Sequence, residues 1–112
     1  AAIRGVRPGR WLPFDGKMPN RDRVAQLLAW LDGTPRPRFL TLYFDTVDHD
    51  GHDFGPDSAE VNRAVAEVDA RIGDLLAGLA ARGIDANIIL VADHGMAQVS
   101  SRQRILLDGL ID

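Results

Sequence analysis

Asn87-Ile88-Ile89-Leu90-Val91-Ala92-Asp93-His94-Gly95 carries an apolar run straight into an acidic residue, a histidine and a glycine. A short run of β-branched and leucine side chains, bounded by polar residues, reads as a buried strand whose carboxyl end is Asp93-His94-Gly95. Upstream, Phe39-Leu40-Thr41-Leu42-Tyr43-Phe44 has the same character and turns polar at Asp45. Residues 45–56, with Gly51, Gly55 and Pro56, are too polar to extend that strand and read as a loop. Between the two apolar runs, Val61, Val65, Val68, Ile72, Leu75 and Leu79 step by three and four along one helical face. Asp57 followed by Glu60 resembles a capping box at its start, and Gly83 after Arg82 marks its end.

Strand, long helix, strand is a βαβ unit, so the expected fold class is α/β with a parallel βαβ core. Such crossovers are right-handed, which leaves both strands ending on one sheet edge. Open α/β sheets bind their ligands outside that edge. The polar stretches following Phe44 and Ala92 therefore share a rim although some forty residues separate them. Before this core, the chain to Asn20 reads as an arm rich in Gly, Pro and Arg. A helix follows from Arg21, with Asn20 as N-cap, and Asp32-Gly33, Pro35 and Pro37 end it. Ile105-Leu106-Leu107 is one further short apolar piece.

The 112 residues carry a net charge of -3, with 46% hydrophobic and 26% charged residues. That balance gives no basic footprint for a nucleic-acid duplex. No apolar run approaches the roughly 20 residues of a membrane span. There are no cysteines, so a metal here would be held by imidazole nitrogen and carboxylate oxygen. Ala1 at the start, and the lack of tail character at Ile111-Asp112, read as an internal piece of a longer protein.

All three histidines, His49, His52 and His94, lie in the two rim segments, among Asp45, Asp48, Asp50, Asp53 and Asp93. Asp-His-Gly clusters also make ordinary turns. Two of them, each placed after a strand and joined by one crossover helix, point instead to a shared set of ligands suited to zinc or manganese. His49 is expected at the solvent surface.

Tyr43-Phe44-Asp45-Thr46-Val47-Asp48-His49-Asp50-Gly51-His52-Asp53-Phe54-Gly55-Pro56 resembles the Y-x-x-x-x-D-x-x-G-H-x-x-G-P stretch of type I phosphodiesterases/nucleotide pyrophosphatases, bacterial members in particular. These belong to the alkaline phosphatase superfamily. Asp93-His94-Gly95-Met96 resembles the family's second metal motif, and the likeness covers nearly the whole chain. It implies an alkaline-phosphatase-like fold, of which residues 1–112 form a central, partial catalytic domain. By resemblance, Asp48 and His52 are ligands of one zinc, Asp93 and His94 of the other. In the family the second zinc also takes an Asp from the first strand and a nucleophilic Thr, and the first takes a later His. None of these has a counterpart here: Thr34, Thr41 and Thr46 stand in other contexts, and no histidine follows His94.

The resemblance thus implies hydrolysis of nucleotide phosphodiester or pyrophosphate bonds by a longer protein whose Thr nucleophile lies outside these residues. It implies two Zn2+ (or Mn2+) there, and partial or no occupancy in this chain by itself, which would be inactive. Tyr43 corresponds to an aromatic residue that stacks on the nucleobase, and Phe14 falls near another aromatic position, where packing is the first expectation. Members are commonly exported, so a periplasmic or extracytoplasmic protein is expected. The same motifs would serve a phosphonoacetate hydrolase or a phosphomonoesterase. A non-catalytic segment that binds metal or a partner is the reading from a different class, and exposed sheet edges would let copies associate.

Overall fold

The computed structural model describes residues 2, 4–100 and 102. Among them the chain forms α1 (Asn20–Leu31), α2 (Thr46–Phe54) and α3 (Ala59–Ala81). Ile105-Leu106-Leu107 and Ile3 of the arm lie outside the described residues.

In α1, Val24, Leu27 and Leu31 recur at helical spacing and are buried. Leu27 and Leu31 meet Leu79 of α3 to form the core, with Leu28, Leu40, Leu42, Leu75 and Ile84 packed around it. α3 in turn packs against both α1 and α2. Its N-cap is Ser58, one residue beyond the expected Asp57: the Ser58 hydroxyl accepts the Val61 N–H at 3.2 Å. The expected glycine stop holds. Gly83 has φ +60°, and the bonds from Gly83 N to Ala80 O and from Ile84 N to Leu79 O, both 3.0 Å, close the last turn. This paired closure brings Ile84 back onto the core beside Leu79.

Asn20 does not cap α1; Pro19 holds the cap position, where a missing N–H costs nothing. The buried Asn20 amide instead donates to Thr46 Oγ1 and Glu67 Oε2, each at 2.7 Å. One side chain thereby ties the start of α1 to the start of α2 and the middle of α3.

Residues 45–56 were expected as a loop, and this is corrected: 46–54 are the helix α2. The segment holds no proline until Pro56, and its polarity reports solvent exposure, not conformation. Glycine at 51 lowers its helix propensity, and packing on α3 outweighs that cost. Gly55, with φ +88°, ends it.

The two apolar runs lie outside the helices, and the parallel βαβ pairing is not formed among the described residues. Residues 39–44 alternate: Leu40 and Leu42 pack on the helices, while Phe39 and Tyr43 are exposed. Ile89, Leu90 and Val91 are exposed too. A lone parallel pair is marginal in water, because a ladder needs further strands and a covered face to be stable. The radius of gyration, 18.7 Å, well above the ~13 Å of a closed domain of this length, reflects the same lack of closure. No helix among the described residues is long and apolar enough to cross a membrane.

Candidate functional site

The helical conformation of 46–54 sets the first half of the site. Positions four apart share a helix face, and Asp48 Oδ1 stands 3.5 Å from His52 Nε2. The second half arrives on the extended segment after Val91. His94 Nε2 lies 3.7 Å from the same Asp48 oxygen and 3.8 Å from Asp93 Oδ1. All four expected ligands, Asp48, His52, Asp93 and His94, are thus brought together, with Asp48 at the junction of the two motifs.

The junction is electrostatically incomplete. Asp48 Oδ1 is buried, although the residue as a whole is not, and it has no hydrogen-bond partner. Separations of 3.5–3.8 Å are too long for hydrogen bonds. Within each pair, the 3.5 Å of Asp48–His52 and the 3.8 Å of Asp93–His94 are close to the ~3.4 Å between atoms that sit about 2.1 Å from one zinc in a tetrahedron. A buried carboxylate oxygen without a partner is costly, and a cation between these donors would remove that cost. Imidazole and carboxylate are the donors such a cation requires, so the residues fit a divalent metal. No three of these groups form a ready-made cage among the described residues. Each motif supplies a pair.

His94 is oriented for this role by its own turn. Its Nδ1 bonds the Gly95 carbonyl at 3.1 Å, and its backbone N–H donates to Asp93 Oδ1 at 3.0 Å. With Nδ1–H committed to a carbonyl, Nε2 carries the free lone pair and faces the carboxylates. The same carbonyl, followed by the charges of Asp93 and Asp48, holds the His94 imidazole above its ordinary pKa.

The motifs meet because Gly51 has no side chain. It is buried in α2, and a Cβ there would stand 2.7 Å from Met96 Sδ and 2.9 Å from Met96 Cε. Met96 therefore docks the second motif on the bare face of α2. Gly51, expected in a loop, and Met96 of the second motif both act in this helix–segment contact. A groove of about 480 Å³ continues past it, between His52–Pro56 and Met96–Val99.

His49 is exposed, as expected, and pairs with Asp53 (3.5 Å) instead of with the four ligands. It borders a second cavity of about 450 Å³, with Lys17, Asn20, Arg23, Asp45 and Glu67. Beside this cavity, Tyr43 meets Phe14 edge to face, centroids 5.9 Å apart at 64°. Both rings are more than half exposed. Phe14 thus joins Tyr43 in one aromatic edge. The sequence reading missed Arg23, whose guanidinium lies 5.1 Å from the Phe14 ring centre. An arginine in a polar helix start gives no signal of such a role.

The family model for type I phosphodiesterase/nucleotide pyrophosphatase matches residues 1–112. The chain belongs to this family of hydrolases, which has the alkaline-phosphatase-like fold and generally uses divalent metals. Among relatives, ectonucleotide pyrophosphatase/phosphodiesterase family member 1 of Mus musculus is 38% identical over 110 residues, covering 95% of this chain and 12% of its own. An uncharacterised pyrophosphatase/phosphodiesterase of Schizosaccharomyces pombe is 42% identical over 112 residues, covering 96% and 23%. The venom phosphodiesterase CdcPDE of Crotalus durissus collilineatus is 39% identical over 102 residues, covering 88% and 12%. The chain spans between about an eighth and a quarter of the length of these relatives.

Proposed function

We propose that this chain contributes the central part of a catalytic domain that hydrolyses phosphodiester or pyrophosphate bonds of nucleotides. Asp48 and His52 hold one divalent metal, and Asp93 and His94 hold the other. Zinc suits these donors best, with manganese as the alternative. The observation that carries the reading is the unpartnered, buried Asp48 oxygen at the meeting point of two aspartate–histidine pairs.

The chain's own residues bind and orient. Asp48 and Asp93 supply negative charge to balance a divalent ion. His52 and His94 supply neutral nitrogen, with the His94 tautomer fixed by Gly95. Met96 on Gly51 keeps the pairs adjacent. When bound, two such ions supply Lewis acidity at phosphoryl oxygens and lower the pKa of a hydroxyl nucleophile. The nucleophile is a threonine outside these residues, and the further ligands are an aspartate and a histidine also outside them. By itself, the 112-residue chain is inactive and binds well under two zincs.

In the full catalytic domain, residues 39–44 and 87–92 take their places in a parallel sheet. Their apolar side chains and the long helix between them support that placement. The exposed Phe14–Tyr43 edge favours a substrate with a planar base over phosphonoacetate or a simple monoester. The relatives named as ectonucleotide and venom enzymes support an extracytoplasmic location. Replacing Asp93 and His94 together by Ala in the longer protein tests the assignment. Hydrolysis of a nitrophenyl ester of a nucleotide should vanish and the zinc content fall. Full activity with full metal content would overturn it.

A further inference from the structure

Arg23 lies on α1, well away from the two aspartate–histidine pairs in sequence, yet its side chain is only 10% exposed. Its Nε donates to the Met18 carbonyl at 3.1 Å, and Nη2 donates to the Asp15 carbonyl at 2.8 Å and to Asp45 Oδ1 at 3.3 Å. Nη1 reaches the Tyr43 carbonyl at 3.5 Å. The planar fork thus grips the 14–18 loop on one side and, on the other, the Asp45 carboxylate and the Tyr43 carbonyl. Its guanidinium carbon lies over the Phe14 ring. Phe14 stands on the first of these segments and Tyr43 on the second, so the guanidinium sets the distance between the two rings. A lysine ammonium could keep the charge and the attraction to the ring, but it cannot reach the Met18 and Asp15 carbonyls and the Asp45 carboxylate in this fixed planar geometry.

We propose that Arg23 is the positioning residue of the aromatic edge, holding Phe14 and Tyr43 at the separation that accepts a nucleobase. This rests on the nucleotide reading above. Base–aromatic stacking depends on ring placement, so a displaced edge loses affinity for ligands that carry a base and leaves ligands without one unaffected. That selectivity separates positioning from a general contribution to folding.

The experiment uses the full 112-residue chain, with Tyr43, its single tyrosine, as the NMR reporter. AMP is titrated against ribose 5-phosphate, which has the phosphate and sugar without the base. AMP should shift the Tyr43 and Phe14 ring signals, and ribose 5-phosphate should not. Arg23→Lys should weaken AMP about fivefold, with zinc affinity unchanged. Unchanged AMP affinity in Arg23→Lys overturns the proposal, as does equal loss of both ligands or the absence of any AMP shift in the unaltered chain. If circular dichroism shows Arg23→Lys unfolded, Asp45→Asn decides, because it removes the guanidinium's charged partner while leaving Arg23 in place. It should reduce AMP affinity to a smaller extent; no change overturns the proposal. Zinc is titrated separately. AMP shifts in the chain together with a longer protein that holds no zinc sink the hydrolysis reading alone, whereas zinc in the longer protein without AMP shifts in the chain sinks the aromatic-edge proposal alone.

Discussion

The two halves of the candidate site are built on unlike supports. Asp48 and His52 ride one face of a helix that is anchored at its start by the Asn20 amide and along its side by α3. Asp93 and His94 ride an extended segment with exposed neighbours, whose contact with the first half runs through Met96 on Gly51. Helical spacing presets the first pair, since residues four apart face each other whatever else happens. The second pair is placed only as well as that docking contact holds. Coupling between the motifs is therefore concentrated at Asp48 and Gly51.

Disrupting the junction at Asp48 should produce the largest effect. Asp48→Asn keeps the shape but removes the charge that both histidines face, and in the longer protein zinc affinity measured by calorimetry should fall more than about 100-fold. Next in size is the anchor of the first half. Asn20→Ala leaves Thr46 and Glu67 without their shared donor and should cost about 1–3 kcal/mol in thermal or urea unfolding. Gly51→Leu tests the docking of the second half. It fills the space of Met96 and should weaken zinc about tenfold, while the helical circular dichroism of α2 stays the same or rises. Opposite signs in those two measurements would separate support from docking.

The smallest effect concerns neither half. Arg82 grips Asp32 through two bonds of 2.8 and 2.9 Å, joining the carboxyl ends of α1 and α3. That hydrogen bond, which outweighs an opposing desolvation and is helped by the charges of Arg82 and Arg36, holds the Asp32 carboxyl below its ordinary value of 3.8. A lowered folded-state pKa means the stabilisation is present above the unfolded value and disappears as pH falls through the folded one. Asp32→Asn should therefore be slightly less stable than the unaltered chain at neutral pH and equal to it in strong acid. The pair is exposed, so added salt should shrink the difference.

The chemistry of the site was more legible in the sequence than its scaffold. Few side chains bind metals, and all three histidines fall in two short segments, while the likeness to the family's two motifs is what singled out and paired Asp48, His52, Asp93 and His94 as expected ligands. The conformation of 46–54 was not legible, because a polar, glycine-containing stretch looks alike whether it is a loop or an exposed helix. Residues 39–44 and 87–92 were read as strands from their side chains alone. A strand also needs a neighbour, and no local pattern reports where that neighbour is. Asn20 and Arg23 escaped for a related reason. The partners that tie them to the site lie 20 or more residues away, at Tyr43, Asp45, Thr46 and Glu67.

The most direct test of a shared site follows the three imidazoles separately by NMR while zinc is added to the chain. His52 and His94 should respond together at their Nε2 atoms, with His49 unchanged. An equal response from all three, or a response that leaves out His94, would contradict the convergence of the two motifs at Asp48.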